Sequence, residues 1–347
     1  MSTAGGPPAV TFVCCAYRTE DTVADTIDSV LAQTRDDWQL VVVDNGPSDE
    51  MERIVRPYTD DPRVTLIRQP NAFAAGGVNA GARAAEGRYV VVLHTDDLVT
   101  PRFMERLVPV LDERPEVAMV CPDALYLTGR GLRRPTYREP VPEVYRRGDP
   151  VTLKEMIEGW VPYYVGPVRR EVWEEIGGFR TDAQTVEDLA FFVDVLALGH
   201  EILVVEEVLA YYREDDDSDS RGLRGVEVME ESFERVLTAA VADFGTPDDE
   251  AALREVVPRS RHLRASVRAW RLLLEGDVDG ACEAADLAVT YRDDRRTRAV
   301  ALVMRRWPRT MLAAYKARKV AVRLRQRVSP RDPYDLQGPP ARVSARG

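Results

Sequence analysis

Apolar residues in the first part of the chain come in short unbroken runs, each closed by a polar tip. Residues 10–15, 40–43, 64–67, 88–93 and 117–121 are too short and too β-branched for helices, and predict strands. Between these runs the apolar spacing turns helical: Val23, Ile27, Val30 and Leu31, then a segment reaching Tyr58, a small-residue stretch over 76–86, and Phe103, Leu107, Val110 and Leu111. Thr19 or Asp21 stands where the first of these helices needs a cap. Strands alternating with helices on short connections predict an α/β domain with a mostly parallel sheet covered on both faces. Further on, residues 171–176 read as a helix stopped by Gly177-Gly178. Thr185 is placed to cap a helix carrying Leu189, Phe192, Val193 and Leu196 inward, and 202–205 and 208–212 read as two strands. Residues 124–150, rich in Arg, Pro and Gly, read as an irregular surface segment of the kind that meets ligands. From Gly225 the pattern is helical to Arg327. Pro330, Pro333, Pro339 and Pro340 then mark a disordered tail. The expected organisation is a catalytic or binding domain over 1–222, a helical domain over 223–328 and a tail over 329–347.

Composition narrows the function. The chain of 347 residues is 45% hydrophobic and 30% charged, enough for a full core, and its net charge of -11 argues against general nucleic-acid binding. The charge is uneven: residues from Arg295 onward are strongly basic and the remainder correspondingly acidic. The helices carrying Val300, Val303, Met304, Met311, Leu312 and Leu324 are therefore basic and amphipathic. Contact with an anionic membrane surface, or docking on the acidic domain or a second subunit, both fit such helices, and Pro308 with the surrounding charges favours docking or a homo-oligomer. Cys14, Cys15, Cys121 and Cys282 have no metal-ligand spacing and read as buried reduced thiols. Residues 1–9 lack the basic and apolar regions of a signal peptide and no run reaches membrane-span length, so the expected location is cytoplasmic, or peripheral at the inner membrane face.

The candidate chemistry sits at the strand tips. In an open α/β sheet ligands bind outside the carboxyl ends of the strands. Asp44 follows the second strand, and His94-Thr95-Asp96-Asp97 follows the fourth. A turn-forming Asx motif explains Asp44 equally simply, and a helix cap explains Asp96 and Asp97. The GxGxxG of a dinucleotide site is absent after the first strand, where Cys14-Cys15-Ala16-Tyr17-Arg18 stands, and so is the glycine-rich basic loop of a nucleotidyltransferase.

Four segments in order resemble family 2 inverting glycosyltransferases of the GT-A fold. Ser29-Val30-Leu31-Ala32-Gln33-Thr34 is similar to S-L-x-x-Q-T, and Val41-Val42-Val43-Asp44-Asn45-Gly46-Pro47-Ser48-Asp49 to V-V-D-[DN]-G-S-x-D. The third segment, Asn71 through Asp97, is similar to the N-x-G-F-x-x-G-x-N run ending in D-D. The fourth is Gly177-Gly178-Phe179 followed by Glu187-Asp188-Leu189. The resemblance covers residues 10–220 and implies a GT-A catalytic domain; the α-helical C-terminal region that follows rests on the helical pattern alone and matches no motif. The resemblance also implies a UDP- or dTDP-sugar donor, a hydroxyl acceptor, and a Mg²⁺ or Mn²⁺ ion. Asp44 would accept a hydrogen bond from the base, Asp96 would hold the cation on the diphosphate, and His94, Thr95 and Asn79 would lie along the donor. Asp188 would be the general base and Glu187 would orient the acceptor. Tyr211-Tyr212-Arg213-Glu214-Asp215 is similar to Y-Y-R-x-H, so Asp215, at the histidine position, would complete the metal site; a solvated charge run over 215–217 explains it equally simply. The helix N-terminus is expected to keep Asp188 ionised. Two departures stand out: His94 occupies the first position of the usual D-x-D, and Val78 replaces an arginine that touches the nucleotide in many members. These departures keep open an alternative, a catalytically inactive GT-A domain that binds nucleotide sugars or serves as a scaffold.

Overall fold

The computed structural model describes residues 6–128, 131–134, 136–146, 148–214, 222–315 and 317. Two compact units emerge, one built mainly from residues up to Glu214 and one from the helices that follow.

The first unit is a mixed, largely parallel sheet. Strands β1 (Val10–Ala16), β2 (Trp38–Asn45), β3 (Val64–Gln69) and β4 (Tyr89–Val92) are parallel, with β1 between β2 and β4 and β3 outside β2. Their apolar runs are unbroken because the centre of the sheet is buried on both faces. Val10, Phe12, Val13, Leu40, Val41, Val42, Val90 and Val91 are fully buried. Helices α1 (Val23–Leu31), α2 (Asp49–Val55), α3 (Phe73–Ala82) and α4 (Phe103–Glu113) follow the successive strands. Beyond β4 the sheet turns mixed. The short β5 (Leu98–Val99) pairs antiparallel with β9 (Glu201–Arg213). Strand β8 (Val168–Arg169) lies antiparallel between β4 and β6 (Val117–Thr128), and β6 runs parallel to β9. Helices α5 (Leu153–Ile157), α6 (Arg170–Ile176) and α7 (Glu187–Ala197) complete this unit.

Three expectations are corrected. The two strands expected over 202–212 are one, β9, whose irregularity is absorbed as register shifts against β6 around Pro122, Asp123 and Ala124. The segment over 124–150 is not simply an irregular surface. It begins as the rest of β6 and continues through β7 (Gly131–Arg133), which pairs with β6. A buried polar network then holds it down. Asp123 accepts from the Arg138 amide (2.9 Å) and the Thr136 hydroxyl (2.5 Å), and Arg138 forms an ion pair with Glu155 at 2.7 Å that is almost wholly buried. The capping expectations also change. Thr22, not Thr19 or Asp21, precedes α1. Thr185 has φ +67° and donates its hydroxyl to the Gln184 carbonyl (2.6 Å).

The glycines of α3 have a packing reason. A Cβ on Gly77 would lie 2.2 Å from Cys15 Sγ, and one on Gly81 would lie 2.5 Å from Val13 Cγ1, so the helix backbone rests almost directly on β1. Gly77→Ala is expected to cost about 1–3 kcal/mol of stability through overpacking, read as a fall in the thermal midpoint. An unchanged midpoint would mean that α3 can lift off the sheet freely. Burial pushes the Cys15 thiol up to about 11 and the Cys14 thiol higher still, as expected for inert thiols.

The second unit is helical: α8 (Leu223–Phe244), α9 (Pro247–Glu275), α10 (Val278–Tyr291) and α11 (Arg295–Arg306). Thr246 and Asp249 form a capping box at the start of α9, and Gly276 ends it at φ +92°. Ion pairs between Arg271 and Glu227 (2.9 Å) and between Arg261 and Glu234 join α9 to α8. Met304, fully buried, packs with Ala269, Leu273, Ala281, Ala284 and Ala285, while Met311 and Leu312 lie against the same cluster. The apolar stripe of the basic helices is thus used, in part, inside its own unit. No helix among the described residues is long and apolar enough to cross a membrane. The tail expected over 329–347 and the helix end near Arg327 lie outside the described residues.

Candidate active site

The candidate residues gather where β1, β2 and β4 end. Asp44 closes β2, opposite Ala16 of β1, and is buried. Its Oδ2 accepts from the Ser48 amide (3.1 Å) and from Arg68 Nε (3.0 Å). The Asx-turn reading is therefore partly realised, and a β3 arginine neutralises the carboxylate as well. Asn45 beside it is structural. Its Oδ1 accepts from Gln69 Nε2 and from the Ala72 amide, and its Nδ2 donates to the Phe73 carbonyl (2.9 Å), fastening β2 to the β3–α3 loop.

The tip after β4 divides its four polar residues between different tasks. Thr95 is buried: its hydroxyl meets that of Thr19 at 2.7 Å, and its carbonyl accepts from Thr22 Oγ1 at 2.7 Å. Asp97 is also buried. Its Oδ2 accepts from the hydroxyls of Tyr163 (2.8 Å) and Tyr164 (2.6 Å), and its Oδ1 from the Arg213 amide (2.8 Å). Burial first, and the neighbouring Asp96 charge second, push Asp97 up to about 7 against the pull of these donors. Asp96 is the opposite case. Its carboxylate is partly exposed and accepts no hydrogen bond among the described residues, while its carbonyl is held by Arg213 Nε (2.7 Å). His94 is exposed. Its amide donates to the Tyr164 hydroxyl (3.1 Å), and its ring meets the Tyr164 ring edge-on at 4.5 Å.

Helix α1 is what fixes this tip. Thr26 Oγ1 donates to the Asp97 carbonyl (2.8 Å), Ser29 Oγ accepts from the Val99 amide (3.3 Å), and Gln33 donates to the Thr100 carbonyl (2.8 Å) while accepting from the Met104 amide (3.1 Å). The Ser29 to Thr34 motif therefore has a mechanical meaning: it clamps the acid-bearing loop. Arg213 does the same from β9.

Asp188 lies in the first turn of α7, with Glu187, half-buried, ahead of it. Together with Tyr164, Gly166, Trp173, Phe179, Phe191 and Phe192 it borders a narrow apolar pocket with about 10 Å³ of room for water. That is space for about one water molecule. Burial raises the Asp188 pKa, opposed by the Leu189 amide (2.8 Å) and by His94, so the helix N-terminus does not win as expected. Asn79 spans the Gly177-Gly178-Phe179 turn. Its Nδ2 donates to the Phe179 carbonyl and its Oδ1 accepts from the Phe179 amide, both at 2.8 Å. Its amide is thus occupied in holding the wall of the Asp188 pocket, a role the sequence did not reveal. Gly178, at φ +82°, has no room for a Cβ beside Asn79 Oδ1. Tyr163 and Tyr164 belong to an aromatic cluster with Tyr137 and Tyr212. Asp215 lies outside the described residues, and among those described no group of three or more acids, histidines or cysteines is placed to hold a metal. A Mg²⁺ or Mn²⁺ that takes one protein carboxylate and fills its other positions from phosphate and water would still fit the unengaged Asp96 carboxylate.

The mixed, largely parallel sheet with its helices is GT-A-like. Residues 11–177 match the model of Glycosyl transferase family 2, which supports a family 2 glycosyltransferase domain in that part of the chain. It is 32% identical over 228 residues to the succinoglycan biosynthesis protein ExoO of Rhizobium meliloti, covering 62% of this chain and 64% of that protein. It is 26% identical over 221 residues to the putative glycosyltransferase EpsE of Bacillus subtilis, covering 62% and 76%. The chain thus spans slightly less than two thirds of the length of ExoO. Among solved structures, S. aureus TarS 1–349 in complex with UDP superposes with a TM-score of 0.59 at 16% identity, over 85% of this chain and 86% of that one. The mannosyltransferase PcManGT from Pyrobaculum calidifontis, in complex with GDP-Man and Mn²⁺, gives 0.55 at 19%, over 93% and 88%. At such identities the likeness establishes the fold.

Proposed function

We propose that the chain transfers a sugar from a UDP- or dTDP-sugar to an acceptor hydroxyl with inversion. The observation that carries this reading is the Asp188 carboxylate: half-buried, raised in pKa by desolvation, and bordering a pocket it shares with Tyr164, whose hydroxyl is bonded to Asp97. Asp188 takes the proton as the acceptor oxygen attacks the anomeric carbon and the bond to the diphosphate breaks on the opposite face. Asp44 orients the base and Glu187 the acceptor. Asp96 holds the divalent cation, which when bound neutralises charge on the leaving diphosphate. The UDP and GDP-Man complexes of the structural neighbours support a nucleotide-sugar donor, and the Mn²⁺ in one of them supports the cation.

For Asp96→Ala, calorimetry of UDP or dTDP is expected to lose most of the affinity that Mn²⁺ adds, with folding little changed because the side chain is unengaged. An Asp96→Ala protein that keeps the full Mn²⁺ enhancement would refute the metal role.

A further inference from the structure

Among the described residues only Arg18, Phe73 and Thr185 are non-glycine residues with positive φ. Phe73 is the most unusual of them: a bulky aromatic at φ +58° whose side chain is 70% exposed. A bulky residue in this region is strained, and nothing in the fold recovers the cost by burying the ring. The strain is nonetheless enforced. Asn45 Nδ2 holds the Phe73 carbonyl at 2.9 Å, and Asn71 Oδ1 accepts from the Phe73 amide at 2.8 Å. Asn45 is itself buried and directly follows Asp44. Across the same strand end, the position a Cβ would take on Gly46 lies 3.0 Å from the exposed Tyr17 ring and 3.5 Å from Asn71 Cβ. Phe73, Asn71 and Tyr17 thus lie together at the exit of β2, next to Asn45 and Gly46, the two residues that follow Asp44.

We infer that Phe73 is a base-binding residue whose ring packs on the nucleobase of a nucleoside diphosphate seated at Asp44. The inference rests on the donor reading given above. A planar base presents an apolar π-face that an exposed aromatic ring covers, and such stacking is tolerant of which base it meets. The backbone is held in a glycine-favouring conformation so that the ring faces the ligand rather than the core.

Strain and function make opposite demands, which gives the test. UDP and dTDP are titrated calorimetrically with MnCl₂ into the whole chain as wild type, Phe73→Gly and Phe73→Tyr, alongside thermal unfolding. Phe73→Gly relieves the φ strain and is expected to melt at or above the wild-type temperature, yet to bind nucleotide roughly 5- to 100-fold more weakly. Phe73→Tyr keeps a ring and is expected to retain wild-type affinity. Undiminished affinity in Phe73→Gly, or equal weakening in Phe73→Tyr, would overturn the assignment. A wild-type protein that binds neither nucleotide would instead overturn the donor reading, and this inference with it.

Discussion

Asp188→Asn is expected to slow sugar transfer by about 10²–10⁴-fold, the usual contribution of a positioned general base. The substitution keeps the size of the side chain and its acceptor oxygen toward the Leu189 amide, so α7 and the aromatic wall of Trp173, Phe179 and Phe191 are expected to stay in place. UDP affinity should therefore remain within about twofold of wild type, placing the loss in the chemical step. The sign of the pH dependence follows from the burial. A base works ionised, and burial raises the Asp188 pKa, so activity is expected to climb with pH through a limb lying above the ordinary carboxylate range. A pH-rate profile checks this; full activity at pH values where ordinary carboxylates begin to protonate would contradict it.

Asp97→Ala is expected to cost about 3–5 kcal/mol of stability, because it removes the acceptor of three donors at once, one buried and two part-buried. These are the hydroxyls of Tyr163 and Tyr164 and the amide of Arg213, each within 2.8 Å of the carboxylate. The effect should be the reverse of that at Asp96, one residue earlier, where substitution touches ligand binding and spares folding. A second signature is pH. The folded pKa of Asp97 is about 7, above that of an unfolded aspartate near 3.8. Between these values the folded state binds more protons, so this group makes stability fall as pH rises from about 4 to about 7, and contributes a level term above that. Asp97→Asn leaves the ring hydroxyls free to reorient and is expected to remove this slope. Urea unfolding of wild type and Asp97→Asn at pH 5 and pH 8 measures the difference; parallel slopes would exclude the titration.

The strands and helices up to α4 were legible because a parallel sheet buried on both faces leaves continuous apolar runs, punctuated by its polar tips. The candidate acids were legible only through motif order, since Asp44, Asp96 and Asp188 each have a structural explanation when taken alone. What the chain concealed was tertiary. Ser29 and Gln33 read only as part of the S-L-x-x-Q-T resemblance, and only the folded chain shows them holding the loop after β4. Asn79 reads as a ligand-facing amide but spends both ends on Phe179. The buried ion pair of Arg138 and Glu155 was not legible, because a sequence does not show that two opposite charges far apart along it are buried together. Asp188 was expected to be governed by the helix N-terminus; its burial, which depends on Trp173, Phe179 and Phe191 closing around it, was not visible locally.

The most direct measurement needs no acceptor. Incubating the chain with UDP- and dTDP-sugars and Mn²⁺, and following nucleoside diphosphate release and the anomeric configuration of the freed sugar by NMR, reports the chemical step with water as acceptor. The predicted result is slow release from at least one donor, with the first-formed sugar inverted at the anomeric carbon and the release lost in Asp188→Asn. A sugar freed with retained configuration, or release undiminished in Asp188→Asn, would contradict the account.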